Sequence, residues 1–283
     1  MESAPRRAAV LGHPVAHSLS PVLHRAAYAA LGLNWSYEAI DVDESELEGF
    51  LASLDDSWAG LSLTMPLKIE AARLAGFVEP QAKLLGTVNT LVASGLGEYR
   101  QWVGANTDIH GMVAAFAEAR VTSCSRAVVI GGGATATSAL AAVASLGSPN
   151  AGVIVRNKAR AGRLMHAASK MGLQPRFIDM GSDEALVALS RAEVAVSTIP
   201  AAAGEVLADR LMGADMRVAG HLLDVVYSPV RTRLLSAWSQ AGGHGISGTR
   251  MLLYQAAEQV RLMTGVPAPT AVMDQALGGA LTA

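Results

Sequence analysis

The fold turns on one stretch, Ala127-Val128-Val129-Ile130-Gly131-Gly132-Gly133-Ala134-Thr135-Ala136. Four apolar residues in a row read as a strand buried on both faces, the pattern of a parallel sheet covered by helices. The six residues that follow fit G-x-G-x-x-A, and their order matters. Gly131 permits a tight turn, Gly133 lets backbone N–H groups approach a pyrophosphate at the positive end of the next helix, and Ala136 keeps that helix against the sheet. A glycine triplet alone would equally suit a plain strand–helix turn. The strand before it and the helix after it favour a dinucleotide site, with Gly131, Gly132, Gly133, Ala134, Thr135 and Ala136 as candidate cofactor-binding residues.

C-terminal to this stretch, a small-residue helix runs to about Leu146 and stops at Gly147 and Pro149, and Gly152–Val155 reads as the next strand. The end of that second strand selects the cofactor. A site for NAD usually presents an Asp or Glu there, to hold the ribose 2′-hydroxyl. Here Arg156-Asn157-Lys158-Ala159-Arg160 holds three cations and no acid. A guanidinium suits a 2′-phosphate and a carboxylate repels it, so the loop points to NADP, with Arg156, Asn157 and Arg160 as candidate contacts. A helix over 161–170, strands near 176–178 and 194–197, a helix from Asp183 and a strand at 221–226 repeat the alternation of a doubly wound, Rossmann-type domain, expected over residues 108–244.

The N-terminal hundred residues alternate in the same way. Ala8–Leu11 reads as a strand; Ser20-Pro21 reads as an N-cap followed by proline at the first helical position. Strands at 37–42 and 60–63 with a helix over 44–54 between them make a βαβαβ series, hence a mostly parallel sheet, and 87–94 with 99–103 look like a strand pair. Helix-spaced apolar positions resume at 251–263 and 270–281. The expectation is an α/β protein of two domains with a cleft between them: 1–107 plus 245–283 for substrate and catalysis, 108–244 for NADP.

A length of 283 residues suits two domains at roughly 150 residues each. With 51% hydrophobic and 16% charged residues, sizeable cores can be buried. The formal net charge of −2 offers no electrostatic footprint for nucleic acid or an anionic membrane. Arg6 and Arg7, an adjacent basic pair, read as a frayed tail. The single cysteine, Cys124, excludes an internal disulfide. With no secretory signal or membrane span, the expected place is the cytoplasm, as a monomer or homodimer. No H-x₃-H, C-x-x-C or acidic cluster suggests a metal site. His110, His166, His221 and His244 read as structural.

Polar groups gather just beyond the strands of the first domain, where open α/β sheets bind ligands. They fall in Gly12–His24, Leu63–Lys68, Gly86–Thr90 and Gly104–Asp108. Taken singly, Ser20, Thr64, Asn106 and Asp108 read as caps or turns and Lys68 as a solvated first-turn side chain. Together these stretches resemble the shikimate dehydrogenase family. Gly12 to His24 matches G-x-P-x-x-H-S-x-S-P-x-x-H; Thr64, Pro66 and Lys68 match T-x-P-x-K. Val88-Asn89-Thr90, Asn106-Thr107-Asp108 and Gly248…Met251-Leu252…Gln255 match V-N-T, N-T-D and G-x-x-M-L-x-x-Q. The matches are collinear from residue 8 to about 270.

The resemblance implies reversible reduction of 3-dehydroshikimate by NADPH in the shikimate pathway of aromatic amino acid biosynthesis. It implies Lys68 and Asp108 as the catalytic pair, and Ser18, Ser20, Thr64, Asn89 and Gln255, with Asp108, as substrate contacts. Cofactor contacts are implied at Thr198, Val226, Gly248 and Met251, although helix periodicity alone reads Met251 as core. A ketone receiving hydride develops alkoxide character, so the Lys68 ammonium would stabilise it and supply the proton, with Asp108 orienting it. Three departures stand out. Ser62 replaces an Asn the family often has, Ala134 replaces a glycine of the phosphate turn, and Arg250 replaces the second glycine of G-L-G-M-L. The alternatives are an oxidative quinate/shikimate dehydrogenase, against which Arg156 argues where NAD is used, and a non-catalytic nucleotide sensor, which would need neither Lys68 nor Asp108.

Overall fold

The computed structural model describes residues 5–282. From the N-terminus the chain forms β1 (Arg6–Gly12), α1 (Ser20–Ala30), β2 (Trp35–Asp41), α2 (Leu47–Ala52), β3 (Trp58–Leu63) and α3 (Lys68–Leu74). It continues with β4 (Phe77–Val78), α4 (Pro80–Leu85), β5 (Thr90–Ser94) and β6 (Gln101–Ala105). These strands make a six-stranded sheet in the order β2-β1-β3-β5-β6-β4. β1 pairs in parallel with β2 and β3, as helical crossovers require. β5 runs antiparallel to both β3 and β6, and its six-residue connection to β6 can only reverse the chain. The buried run of β1 from Ala8 to Gly12 reflects cover on both faces. One face packs Leu11, Leu47, Leu61, Leu67 and Leu91 into a common core.

Two local expectations give way here. Arg6 and Arg7 belong to β1 rather than to a frayed tail: the Arg7 guanidinium lies 4.3 Å from the Trp58 ring centroid and that of Arg6 5.7 Å from Trp35. A cation over an indole face gains from the ring quadrupole, which the linear sequence does not display. Ser20 is the first residue of α1 and Leu19 stands at the cap; Ser18 Oγ instead accepts the Ser20 N–H, at 3.3 Å.

The second series comprises α5 (Asp108–Glu118), β7 (Ala127–Ile130), α6 (Ala134–Ser145), β8 (Gly152–Val155), α7 (Gly162–Lys170), β9 (Arg176–Asp179), α8 (Asp183–Arg191) and β10 (Val194–Ser197). It ends with α9 (Ala201–Gly213), β11 (His221–Asp224), α10 (Arg233–Gln240) and β12 (His244–Ser247); α11 (Gly248–Thr264) and α12 (Thr270–Thr282) follow. The strand order is β12-β11-β10-β7-β8-β9, and every pairing is parallel. All four residues of β7 and of β10 are buried. Sequence patterning leaves β12 unassigned, because this edge strand buries only Ile246 and so shows no hydrophobic period.

The chain divides into two compact units, one holding residues up to Thr107 together with Leu253 onward, the other Asp108–Leu252. The second reaches past residue 244 because β12 pairs with β11. Among the described residues, no helix is long and apolar enough to cross a membrane.

Candidate active site

In the first unit the polar loops are tied together at the ends of β1, β3 and β5. A Cβ on Gly12 would fall 2.4 Å from Thr64 Cγ2, so only glycine lets the loop after β3 pass over the end of β1. His13 N–H donates to the Met65 carbonyl at 3.1 Å, and Thr64 N–H to the Leu11 carbonyl at 2.9 Å. Lys68 then opens α3, half-buried, and its carbonyl accepts the Val88 N–H at 2.8 Å. That bond sets Asn89 beside Lys68 in the fold. The Asn89 carbonyl in turn accepts the Leu63 N–H at 2.7 Å. Thr64, Lys68 and Asn89 are therefore brought to one edge by main-chain bonds.

Asn89 is 2% exposed. Its Oδ1 accepts the Thr107 N–H at 2.8 Å and its Nδ2 donates to Thr107 Oγ1 at 3.0 Å. The Thr107 hydroxyl lies 3.5 Å from Gln255 Oε1, which brings α11 to the same polar cluster. Asn106 Nδ2 donates to the Thr87 carbonyl and hydroxyl at 3.2 and 3.1 Å, so this residue fixes the loop. Asp108 follows directly as the first residue of α5 and is 3% exposed. On the loop after β1, His13 Nδ1 lies 2.6 Å from Asp41 Oδ1, and Asp41 Oδ2 accepts the Val15 N–H at 3.3 Å. The hydrogen bond and charge of Asp41 raise the His13 pKa above its ordinary value, and the same bond lowers that of Asp41.

The second unit presents its glycine turn where the strand order reverses, between β7 and β10. That crevice is where doubly wound sheets bind ligands. Gly131 has φ +123°, and a Cβ there would lie 2.3 Å from Thr198 Oγ1. Thr198 is held in turn, its N–H and its hydroxyl each donating to the Ile130 carbonyl at 2.9 Å. Among the described residues, no atom outside the adjacent chain lies within 4 Å of a Cβ built on Gly133, and no side chain caps α6. An uncapped helix N-terminus with backbone N–H groups left free is the arrangement that binds a pyrophosphate. Ala136 is fully buried against the sheet. At the end of β8, Arg156, Lys158 and Arg160 are exposed, and none has an ion-pair partner among the described residues. Asn157 Oδ1 caps the 3₁₀ turn that follows, accepting the Ala159 N–H at 2.9 Å. These features fit a dinucleotide bearing a 2′-phosphate.

The loop after β11 completes this side. Asp224 is 2% exposed; burial raises its pKa, and bonds from the Thr232 hydroxyl at 2.7 Å and the Val226 N–H at 3.3 Å offset part of that rise. Gly248 is required by close approach, since a Cβ would fall 2.5 Å from the Val225 carbonyl oxygen. Arg250 is drawn to α5, where Nε and Nη2 meet the Glu118 carboxylate at 2.7 and 2.5 Å. A bulky residue in place of the family glycine is thus accommodated by an ion pair. Met251 is 7% exposed. Sequence reasoning assigned no role to Tyr37, Ser62, Gln259, Asp224 or Thr232; only Gln259, one helical turn from Gln255, carried a readable signal.

Residues 10–91 match the family model described as the shikimate dehydrogenase substrate binding domain, and residues 248–277 match the shikimate 5′-dehydrogenase C-terminal domain. A shikimate dehydrogenase (NADP(+)) of Methanosarcina acetivorans is 34% identical over 97% of this chain and 98% of its own length. Among solved structures, Mycobacterium tuberculosis shikimate dehydrogenase has a TM-score of 0.87 and 40% identity, covering 97% of this chain and 100% of that one. The Thermus thermophilus shikimate 5-dehydrogenase in complex with NADP(H) and shikimate has a TM-score of 0.79 and 31% identity, covering 98% and 100%.

Proposed function

Because the chain belongs to the shikimate dehydrogenase family, we propose that it catalyses the NADP-dependent interconversion of 3-dehydroshikimate and shikimate. It is an oxidoreductase acting on a CH–OH group, and its place is in aromatic amino acid biosynthesis. The observation that carries the reading is the convergence of Thr64, Lys68 and Asn89 at one strand edge, in a chain whose second unit offers an uncapped helix N-terminus at its switch point.

The dinucleotide, when bound, supplies hydride chemistry. Gly131–Ala136 would hold its pyrophosphate; Arg156, Asn157 and Arg160 its 2′-phosphate; Thr198, Val226, Gly248 and Met251 its nicotinamide side. Ser18 and Ser20 would bind the substrate carboxylate without adding a formal charge, and Thr64, Asn89 and Gln255 its hydroxyls. As the carbonyl carbon gains hydride, its oxygen gains negative charge. The Lys68 ammonium stabilises that charge and delivers a proton from Nζ, leaving a hydroxyl, while the Asp108 carboxylate orients the amine. The protein works on small molecules alone, in the cytoplasm, as a monomer or homodimer.

The test follows absorbance at the NADPH band with shikimate and quinate, each offered with NADP and NAD. Turnover with shikimate and NADP is expected to exceed the other three combinations. Turnover with quinate at a comparable kcat/KM, or a preference for NAD, would point to the catabolic enzyme. No turnover in any combination would overturn the assignment.

A further inference from the structure

Behind Ser20 and Asn89 lies a set of buried polar side chains that the chemistry above does not use: His24, Tyr37, Ser62, Thr90 and Gln259. Gln259, on α11, is 1% exposed and sits at their centre. Its Nε2 lies 3.1 Å from the Asn89 main-chain oxygen and 3.0 Å from Thr90 Oγ1. Its Oε1 lies 2.9 Å from Ser62 Oγ and 3.3 Å from His24 Nε2. Tyr37 Oη is 2.6 Å from Ser62 Oγ, the His24 ring stacks on Tyr37 at 3.9 Å, and the Ser20 hydroxyl also bonds the Tyr37 oxygen.

Donor and acceptor roles in this set are forced. A main-chain carbonyl only accepts, so the atom facing Asn89 O must be the Gln259 nitrogen, and its oxygen must face Ser62 and His24. An amide oxygen only accepts, so both of those neighbours donate. His24 is then the neutral Nε2–H tautomer, in keeping with burial that lowers its pKa to about 3. Ser62 has one proton and gives it to Gln259, so Tyr37 must donate to Ser62. Tyr37, its own proton committed, can only accept from Ser20, whose hydroxyl must turn from Tyr37 to donate to a carboxylate. On the other side, Thr90 accepts from Gln259 and donates to Asn89 Oδ1 at 2.8 Å, while the Thr107 N–H fixes that same oxygen. Gln259 thereby fills all four of its hydrogen-bonding positions.

We propose that Gln259 is a positioning residue for the substrate, holding the Asn89 side-chain amide through Thr90 and the Asn89 main-chain oxygen directly, in a hydrogen-bond sense that leaves one Nδ2 proton of Asn89 for the substrate. The proposal rests on Asn89 being a substrate contact. Ser62 fits the same logic: standing where the family often has Asn, it has the one proton and the lone pairs that link Tyr37 to Gln259.

The informative variant is Gln259→Glu, equal in shape but with an oxygen in place of the donor facing the Asn89 carbonyl. Ionised, it repels that carbonyl; protonated, it regains one donor. The titratable groups facing it are His24 and Tyr37, with Tyr28 behind His24 at 3.2 Å from its Nδ1. Burial keeps His24 neutral and moves both tyrosines upward, so none of them titrates between mildly acidic and mildly basic pH. Glu258 on the same helix is paired with Arg261.

The expected result is a shikimate KM about tenfold above wild type at pH 8, the scale of one lost buried hydrogen bond. The KM for NADP should stay unchanged, and the ratio of variant to wild-type shikimate KM should narrow as pH falls. Ser62→Ala, which removes one donor to Gln259 Oε1, should raise shikimate KM by a smaller factor. Folded Gln259→Glu and Ser62→Ala proteins with shikimate KM within about twofold of wild type would overturn the proposal. So would a raised KM that is equal at every pH, which is the mark of a merely structural defect. Asn89→Ala, run in parallel, separates the premise: if it leaves shikimate KM unmoved, the substrate assignment itself fails; if it raises KM while Gln259→Glu does not, only the positioning role fails.

Discussion

Removing the Lys68 amine separates its two conceivable roles. As proton donor it acts on the transition state, so Lys68→Ala should lower kcat by about 10²–10⁴-fold with a modest change in shikimate KM. Steady-state kinetics check this, and a large KM rise with kcat intact would make Lys68 a binding residue. At Arg156 the charge itself is at issue. Arg156→Asp should weaken NADP binding by roughly ten- to a hundredfold, the scale of hydrogen bonds to a charged group, and leave NAD binding nearly as it was. Equal losses in fluorescence titrations with the two cofactors would remove Arg156 from the 2′-phosphate site. The His13–Asp41 pair gives a pH test. His13 has its pKa raised above 6.5, so the stabilisation it gains is complete below that pH and is lost as pH rises through the raised value. Asp41, lowered from 3.8, contributes above that pH and loses its contribution as pH falls through its folded value. The tether on the substrate loop is therefore strongest in mildly acidic solution. In Asp41→Asn the His13 titration should move down from its wild-type position by NMR; an unchanged titration would mean the pair does not form.

At the scale of elements, the β7–α6 turn is the part whose chemistry leaves least freedom. Gly131→Ala combines φ +123° with a Cβ 2.3 Å from Thr198 Oγ1, so strain of about 1–3 kcal/mol is joined by displacement of Thr198. Denaturant unfolding should show the loss, and NADP affinity should fall with it; an unshifted midpoint would count against the turn geometry. The β11 loop carries a different signature. Asp224 has its pKa raised by burial, so the folded state holds a proton the unfolded chain has released, and stability declines as pH rises from 3.8 through the raised value. Asp224→Asn should flatten that slope in unfolding measured across acidic pH, and a slope identical to wild type would exonerate Asp224. Elements with a strong period were readable from residue patterns. β7, β8 and β10 lie where their apolar runs place them, since strands buried on both faces announce themselves. β12 and the place of Ser20 in α1 were not, because an edge strand with one buried residue has no period and a cap is decided by a bond between neighbours.

For the whole molecule, the division into units predicts where ligands protect the backbone. In hydrogen exchange, NADP should slow amides at Gly131–Ala136 and around Arg156–Arg160 in the unit Asp108–Leu252. Shikimate should slow those near Ser18–Ser20 and Asn89 in the other unit. Protection by NADP confined to the N-terminal segment would contradict the cofactor assignment. The glycine turn, the acid-free cationic loop after Val155 and the motif-bearing loops were all present in the residues themselves. Local chemistry of that kind, a turn that needs glycine or a charge that suits phosphate, is written in residue type and spacing. The tertiary structure decided what depends on partners far apart in the chain. It gave Arg250 to Glu118, Arg7 to Trp58, and Gln259 to Asn89 and Ser62 at a separation of 170 and 197 residues. A buried hydrogen bond has direction only once both of its ends are in place. The sequence therefore determined which polar groups the loops offer, and folding determined which way each of them points its proton.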